Sequence, residues 1–287
     1  MILHFRDGEL GNQLFQYTGF KKYFPKENLI FLGCDSLHQS FDNLYASFIS
    51  VGKIKHWNFF NILHYVALFL TEVRILGVIT EDKNSSFKKY KVIIRRGLIW
   101  WIFVSYKIHF QHQDYLEKID NPPILKPHLH KKAKKWLLEK GINLEKEAVI
   151  FVHVRRGDYL LWPSLAISQP AVLNLDWYKR AMNLIQDKIK NPVFILMSDD
   201  LYYLQDVFQE SKKIIISNNG PKIDLSIMSL CNSGIMSASS FAWWGAFFAN
   251  NYKNDNNLFI APKYWGGHRV KKWYPKNFHT KWITYFE

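Results

Sequence analysis

The sequence predicts an α/β protein whose C-terminal half is a doubly wound parallel sheet. From residue 149 onward, short apolar or β-branched runs alternate with segments of helical period, the pattern of consecutive βα units. Three of those runs end on polar residues: His153 to Asp158, Ser198-Asp199-Asp200, and Ser237 to Ser240. In a parallel sheet such ends share one edge, where open α/β folds bind their ligands. At 287 residues and 48% hydrophobic content, the chain is long enough for two domains with a core each.

Taken in order, Ile2 to Phe5 reads as a first strand and is followed, past Gly8 and Gly11, by an amphipathic helix reaching about Phe24. Glycines at a strand-to-helix turn let the backbone approach a ligand, and the helix start offers N–H groups; glycines that only turn the chain would look the same. The pattern is neither Gly-x-Gly-x-x-Gly nor a phosphate-binding loop with Gly-Lys-Ser/Thr. Leu29 to Gly33 reads as a second strand, and from Cys34 to Lys91 the pattern is irregular. Within it, Trp57 to Leu70 is the most membrane-like segment. Asn58, Asn61 and His64 interrupt it and Glu72 and Arg74 end it, short of the ~20 apolar residues of a spanning helix, which leaves a core helix or an interfacial one. Leu98 to Phe110 is dense in aromatic and aliphatic residues.

The prolines of Asn121 to Pro127 stop regular structure and make the best linker candidate; the expected domains are 1–145 and 146–287. A helix over 128–140 carries Lys131, Lys132, Lys134 and Lys135 on a face that is either solvated or in contact with a membrane or nucleic acid. Further on, helices are expected at 176–189, 200–209, 224–231 and 240–250, and strands at 192–197, 213–216, 233–236 and 258–261. No internal repeat and no low-complexity segment is visible.

Composition narrows the function classes. The apolar content argues against disorder, and a formal charge of +14 favours anionic partners: nucleotide diphosphates locally, a membrane surface or nucleic acid at longer range. Aromatic residues make up 17% of the chain, which suits deep cores, sugar platforms or a lipid-facing surface. Cys34 and Cys231, far apart, form no Cys-x-x-Cys pair and no disulfide framework, which suits a reducing compartment. The first residues lack the basic start and apolar stretch of a secretory signal, so a cytoplasmic location is expected.

The chemistry concentrates on His153, Arg155, Arg156 and Asp158. Two adjacent arginines stay ionised, and their planar forks match phosphate oxygens. They suit an anion clamp, although one arginine could equally pair with Asp158 or cap a helix. Asp199 and Asp200 have the chemistry of Mg²⁺ or Mn²⁺ ligands and also of acceptors for a base or ribose. With two arginines at hand to meet a leaving diphosphate, a metal is redundant. Ser239 and Ser240 stand at a helix start, where hydroxyls cap and N–H groups hold phosphate. Trp243 and Trp244 suit either core packing or a stacking surface.

Five motifs together resemble bacterial α-1,2-fucosyltransferases: His153-Val-Arg-Arg-Gly-Asp-Tyr159, Ser198-Asp-Asp200, Ser239-Ser-Phe-Ala-Trp-Trp-Gly-Ala246, Gly11-Asn-Gln-Leu-Phe-Gln-Tyr17 and Ala261-Pro-Lys-Tyr-Trp265. The resemblance implies a GT-B-like architecture of two Rossmann-like domains facing a crevice. It implies GDP-β-L-fucose as donor, inversion to an α-1,2 linkage on a galactoside, and no metal or other cofactor. Carried over, Arg155 binds the β-phosphate and fucose side, Arg156 supports it, and His153 lines the nucleotide site. Asp199 or Asp200 contacts guanine, while Ser239, Ser240 and Phe241 hold phosphate and base. Asp158, Ser198, Gly11 and Gln13 count as substrate-binding members of these motifs, and Asn12 faces the sugar from the other domain. Glu9 departs from the usual Gly-Gly-Leu; it is either a surface substitution or a group that touches the acceptor and takes its proton. The implied acceptor is a galactose-terminated surface glycan, such as one on a lipid carrier, with peripheral contact at an anionic inner membrane face and no nucleic acid. The alternatives are an inverting transferase for another nucleotide sugar and a basic nucleic-acid-binding protein.

Overall fold

Strand-forming runs at both ends of the chain give each half its own parallel sheet. The computed structural model describes residues 1–50, 57–82, 90–117, 119–252 and 257–287, and the chain divides into Met1–Leu125 and Lys126–Glu287. The side chains of Trp57, Asn58 and Phe59, and 83–89 of the middle stretch, lie outside the described residues.

The first unit runs β1 (Ile2–Phe5), α1 (Leu10–Tyr23), β2 (Leu29–Leu32), α2 (Asp35–Ser40), β3 (Phe41–Asp42), β4 (Ser47–Ile49), α3 (Trp57–Glu72), β5 (Leu76–Glu81), β6 (Val92–Arg95), β7 (Ile99–Ser105), α4 (Gln113–Leu116) and β8 (Ile124–Leu125). Its sheet has the order β4-β2-β1-β7-β5-β6, parallel except for the β5–β6 pair. β3 and β8 form a separate antiparallel pair. The described residues of 34–91, irregular in sequence, therefore hold two helices and three strands. Elements of two to six residues are too short to establish a period, which is why α2, β3, β4 and β5 escape it. α3 lays Phe60 and Ala67 on Phe5, Leu32, Leu76 and Val104 of the sheet. Burying one such aromatic side chain stabilises by roughly 1.5–3 kcal/mol.

The second unit runs α5 (Pro127–Glu139), β9 (Val149–Val154), α6 (Ser164–Ile167), α7 (Leu175–Lys188), β10 (Val193–Ser198), α8 (Leu201–Val207), β11 (Ile214–Ile216), α9 (Pro221–Leu230), β12 (Ser233–Met236), α10 (Ser240–Tyr252), β13 (Phe259–Pro262) and β14 (Ile283–Phe286). The sheet is parallel throughout, in the order β11-β10-β9-β12-β13-β14. All six residues of β9 are buried, as expected of a central strand covered on both faces. α7 starts where the Asn174 side chain accepts from the Trp177 N–H at 2.9 Å, and it packs Trp177, Tyr178, Ala181 and Ile185 onto the sheet. β14 has no counterpart in the expected strands, because four residues after a polar stretch give little alternation to read.

α5 belongs to this unit. Leu129, Ala133 and Leu137, spaced by four, are buried and the helix packs against α9, so the chain divides twenty residues before the boundary expected after 145. Lys131, Lys132, Lys134 and Lys135 are exposed to solvent. Trp243 and Trp244 are fully buried and pack edge to face, so they belong to the core.

Candidate active site

The ends of β9, β10 and β12 lie side by side on the C-terminal edge of the second sheet, and their side chains tie each end to the next. His153, on β9, is buried, and its Nδ1 lies 2.8 Å from Ser237 Oγ beyond β12. Burial, with Arg155 adding, lowers its pKa from 6.5 to about 3, so the ring is neutral at physiological pH. Tyr159 completes this seam by donating its hydroxyl to the Ala238 carbonyl at 2.7 Å.

Arg155 and Arg156 turn in different directions. Nε and Nη2 of Arg155 donate to Asp158 Oδ1 at 3.0 and 2.7 Å, and Nη1 stands 3.3 Å from Asp199 Oδ2. Burial opposes the charge of this guanidinium, but Asp199 and Asp158 outweigh it and raise its pKa. Arg156 points toward α8, donating from Nε to Asp200 Oδ2 at 3.1 Å with its guanidinium 3.6 Å from the Tyr203 ring centroid. Its backbone N–H donates to Asp199 Oδ1 at 2.9 Å, so Asp199 spans both arginines. Asp200 also caps α8 by accepting from the Tyr203 N–H at 3.0 Å, and Ser198 Oγ accepts from the Asp200 N–H at 2.9 Å. Of the alternatives for the arginines, the pairing with Asp158 is present in Arg155, and Arg156 is paired as well, with Asp200.

Gly157 is required by this arrangement. A Cβ there would stand 2.4 Å from Asp199 Oδ2, so any larger residue would push the carboxylate off Arg155 and Arg156. Ser240 opens α10 and Ser239, buried, precedes it; Phe241 stands 5.6 Å from His153, ring to ring. The structure therefore gathers His153, Arg155, Arg156, Asp158, Ser198, Asp199, Asp200, Ser239, Ser240 and Phe241 on one edge. Among the described residues, no group of three or more His, Cys, Asp or Glu side chains is placed to hold a metal ion.

A fourth strand end adds residues that the sequence did not single out. Past β11, Ser217 donates its hydroxyl to Asp224 Oδ1 at 2.6 Å, and Asn219 Nδ2 donates to Ser217 at 3.0 Å. Burial raises the Asp224 pKa from 3.8 to about 7, a rise that the Ser217 hydrogen bond partly opposes. In sequence Asp224 looks like an ordinary acid in the first turn of a helix. Only its burial distinguishes it.

The remaining predicted residues lie in the first unit, around the turn from β1 into α1. Gly8 has φ +89°, and a Cβ on it would meet Asn12 Nδ2 at 2.3 Å. Asn12 Oδ1 accepts from Gln111 Nε2 at 3.0 Å. Gly11 is buried, and so is Gln13, whose Nε2 donates to the Gly8 carbonyl at 3.1 Å and holds the turn from inside. Gln16 donates to the Asp7 carbonyl at 3.0 Å and accepts, through Oε1, a contact of 3.1 Å with His4 Nε2. Glu9 is 70% exposed and pairs with Arg6 at 2.6 Å.

Comparisons with known proteins converge on one class of enzyme. A family model described as Glycosyl transferase family 11 matches residues 79–286. The O-antigen biosynthesis glycosyltransferase WbnK of Escherichia coli is 30% identical over 130 residues, 44% of this chain and 42% of that protein. An alpha-1,2-colitosyltransferase of Escherichia coli is 31% identical over 121 residues, 40% of each. Galactoside alpha-(1,2)-fucosyltransferase 2 of Rattus norvegicus is 26% identical over 140 residues, 45% of this chain and 39% of that one. The chain thus spans about two fifths of the length of the curated relatives it matches. Among solved structures, a family 9 glycosyl transferase of Veillonella parvula superposes with TM-score 0.58 and 13% identity over 100% of this chain and 86% of that one. The fucosyltransferase NodZ of Bradyrhizobium superposes with TM-score 0.51 and 12% identity over 85% and 91%. The fold class is accordingly α/β and GT-B-like.

Proposed function

The chain belongs to glycosyl transferase family 11, and on that footing we propose that it transfers L-fucose from GDP-β-L-fucose to the 2-hydroxyl of a terminal galactoside, inverting to an α-1,2 linkage. The observation that carries this reading is the cross-linked edge of His153, Arg155, Arg156 and Asp199 at the ends of the central parallel strands. As the C1–O bond to GDP loosens, negative charge builds on the β-phosphate while the acceptor hydroxyl attacks from the opposite face. A fixed guanidinium at that phosphate stabilises the transition state more than the ground state.

Pre-pairing shapes how the donor would enter. Arg155, Arg156, Asp158, Asp199 and Asp200 sum to a charge of −1, and Asp158 is the most exposed of the three carboxylates, at 60%. The diphosphate would displace Asp158 from Arg155, while Asp199 and Asp200 keep both arginines in place. Asp199 and Asp200 are engaged by arginines, which supports transfer without a divalent metal; undiminished turnover in EDTA is the expected result.

The relative described as a colitosyltransferase supports a second reading, in which the linkage is kept and the transferred sugar differs. One experiment separates the two. The protein is incubated with GDP-fucose, nucleotide-activated colitose, GDP-mannose or UDP-sugars and a galactoside panel, with donor consumption followed by mass spectrometry and the product linkage determined. Transfer from GDP-fucose with an α-1,2 linkage supports the proposal; consumption confined to another donor overturns it.

A further inference from the structure

The first unit carries an apolar surface that the proposed transfer does not use. α3 is apolar on both sides: Phe60 and Ala67 face the sheet, while Ile62, Tyr65, Val66, Phe69 and, one residue past its end, Val73 form an exposed stripe. Their spacing of three and four residues is that of one helix face, the reverse of a surface helix that turns its polar side to water.

The stripe runs on into the N-terminal edge of the first sheet. The Leu98 N–H donates to the Arg74 carbonyl at 2.7 Å and the Ile99 N–H to the Ile75 carbonyl at 2.8 Å, which joins the end of α3 to the start of β7. β6 runs antiparallel to β5, with Arg95 opposite Val78, so its end reaches the same edge. There Leu98 is 81% exposed, Trp100 63% and Trp101 53%, a concentration of exposed apolar area that marks an interaction surface rather than scattered surface residues. Arg74, Arg95 and Arg96 are exposed beside them, and Glu72 is the acid among the described residues of 69–76 and 93–101.

We propose that this face, the α3 stripe with Trp100 and Trp101 ringed by Arg74, Arg95 and Arg96, docks on an anionic lipid bilayer surface. Charge complementarity selects that occupant. Tryptophans sit at the headgroup level, apolar side chains enter the acyl boundary, and arginines meet anionic headgroups. No helix among the described residues is long and apolar enough to cross a membrane, so the contact is peripheral. Its Leu98, Trp100 and Trp101 end lies on the sheet edge opposite the one that carries Gly8 to Asn12, while the α3 stripe runs back along the sheet from there.

Flotation of the full chain with phosphatidylglycerol-rich vesicles, against pure phosphatidylcholine vesicles, tests the proposal. The chain should float with the anionic vesicles and much less with the neutral ones. The Arg95→Gln/Arg96→Gln variant should lose about thirtyfold in affinity, from the contribution of each basic residue near such a surface. Trp100→Ser/Trp101→Ser should weaken binding that persists in high salt. Thermal melts check that these surface variants remain folded. Absence of binding to anionic vesicles, or binding that neither variant changes, overturns the proposal. So does a concentration-dependent dimer that Trp100→Ser/Trp101→Ser dissolves in a chain that ignores vesicles, since a second copy would then cover the face.

Discussion

The two units open with the same device and load it with different charge. His4-Phe5-Arg6-Asp7-Gly8-Glu9 and His153-Val154-Arg155-Arg156-Gly157-Asp158 each leave a parallel strand with a buried histidine, an arginine, a glycine and an acid three residues after the arginine. The correspondence extends to geometry. Nδ1 of His4 lies 2.8 Å from Ser105 Oγ, as Nδ1 of His153 does from Ser237, and burial takes both rings to about 3. Arg6 pairs with Glu9 at 2.6 Å, Arg155 with Asp158 at 2.7 Å. A neutral histidine locked to a neighbouring serine is therefore part of the scaffold at a strand end, not a sign of proton transfer. The difference lies one position past the first arginine: Asp7 stands where the second unit has Arg156, and Arg155 reaches a carboxylate on the adjacent strand end, Asp199. Four matching positions in six are too few to register as a repeat in sequence, and the likeness emerges only in three dimensions.

The most decisive way to break the comparison is to remove each arginine in turn. Arg155→Ala should fold normally and lose about 10²–10³-fold in transfer, the usual cost of deleting one transition-state donor. Arg6→Ala, which removes a half-buried arginine paired with the exposed Glu9, should change transfer by less than about threefold and stability by about 1 kcal/mol. Steady-state kinetics with saturating acceptor, with GDP affinity measured by calorimetry, would check both. Equal losses in the two variants would show that charge at this position matters in both units alike.

Much of this was legible in the chain, for identifiable reasons. The β9, β10 and β12 ends announced themselves because a buried strand of Val, Ile and Phe contrasts sharply with Arg-Arg-Gly-Asp or Ser-Asp-Asp. Gly157 is visible in sequence as part of the Arg-Arg-Gly-Asp motif, but the reason for it, an Asp199 oxygen supplied from 42 residues away, is a tertiary fact. Asp224 was illegible as a special group because its pKa is set by burial under elements remote in sequence. The α3 stripe was legible only as excess hydrophobicity. Which of its faces meets the sheet depends on the partner strands.

Asp224 sharpens the comparison, because it is a carboxyl whose pKa burial raises at a strand end of the second unit. Its folded pKa of about 7 lies above the ordinary 3.8, so between those values the folded chain holds a proton that the unfolded chain has released. Stability should therefore fall as pH rises from about 4 to about 7 and level off above, by at most about 4 kcal/mol. Asp224→Asn keeps an acceptor for Ser217 and should flatten that slope. Chemical denaturation of both proteins at pH 5 and pH 8 reads the difference, and parallel slopes would assign the proton elsewhere.

The two glycines are expected to fail differently. Gly8→Ala places a side chain at φ +89° and against Asn12, and should cost about 1–3 kcal/mol of stability. Gly157 has no such backbone constraint; its Cβ would meet only the Asp199 carboxylate. Gly157→Ala should leave the melting temperature nearly unchanged and weaken GDP binding by displacing Asp199 from the arginines. A large stability loss in Gly157→Ala with GDP affinity intact would mean that Asp199 holds the fold rather than the clamp.

The smallest effect belongs to Glu9. If it only neutralises Arg6 at the surface, Glu9→Gln should keep turnover within about twofold at saturating donor and leave the pH profile unchanged, as expected of an exposed pair. Asp158→Asn is its matched control, because it removes the corresponding charge beside Arg155 and should change the affinity for GDP. A drop in turnover confined to Glu9→Gln and shrinking toward low pH, where the wild-type carboxylate is itself protonated, would instead give that carboxylate the acceptor's proton, and the likeness between the two strand ends would then divide into a phosphate-binding half and a proton-accepting half.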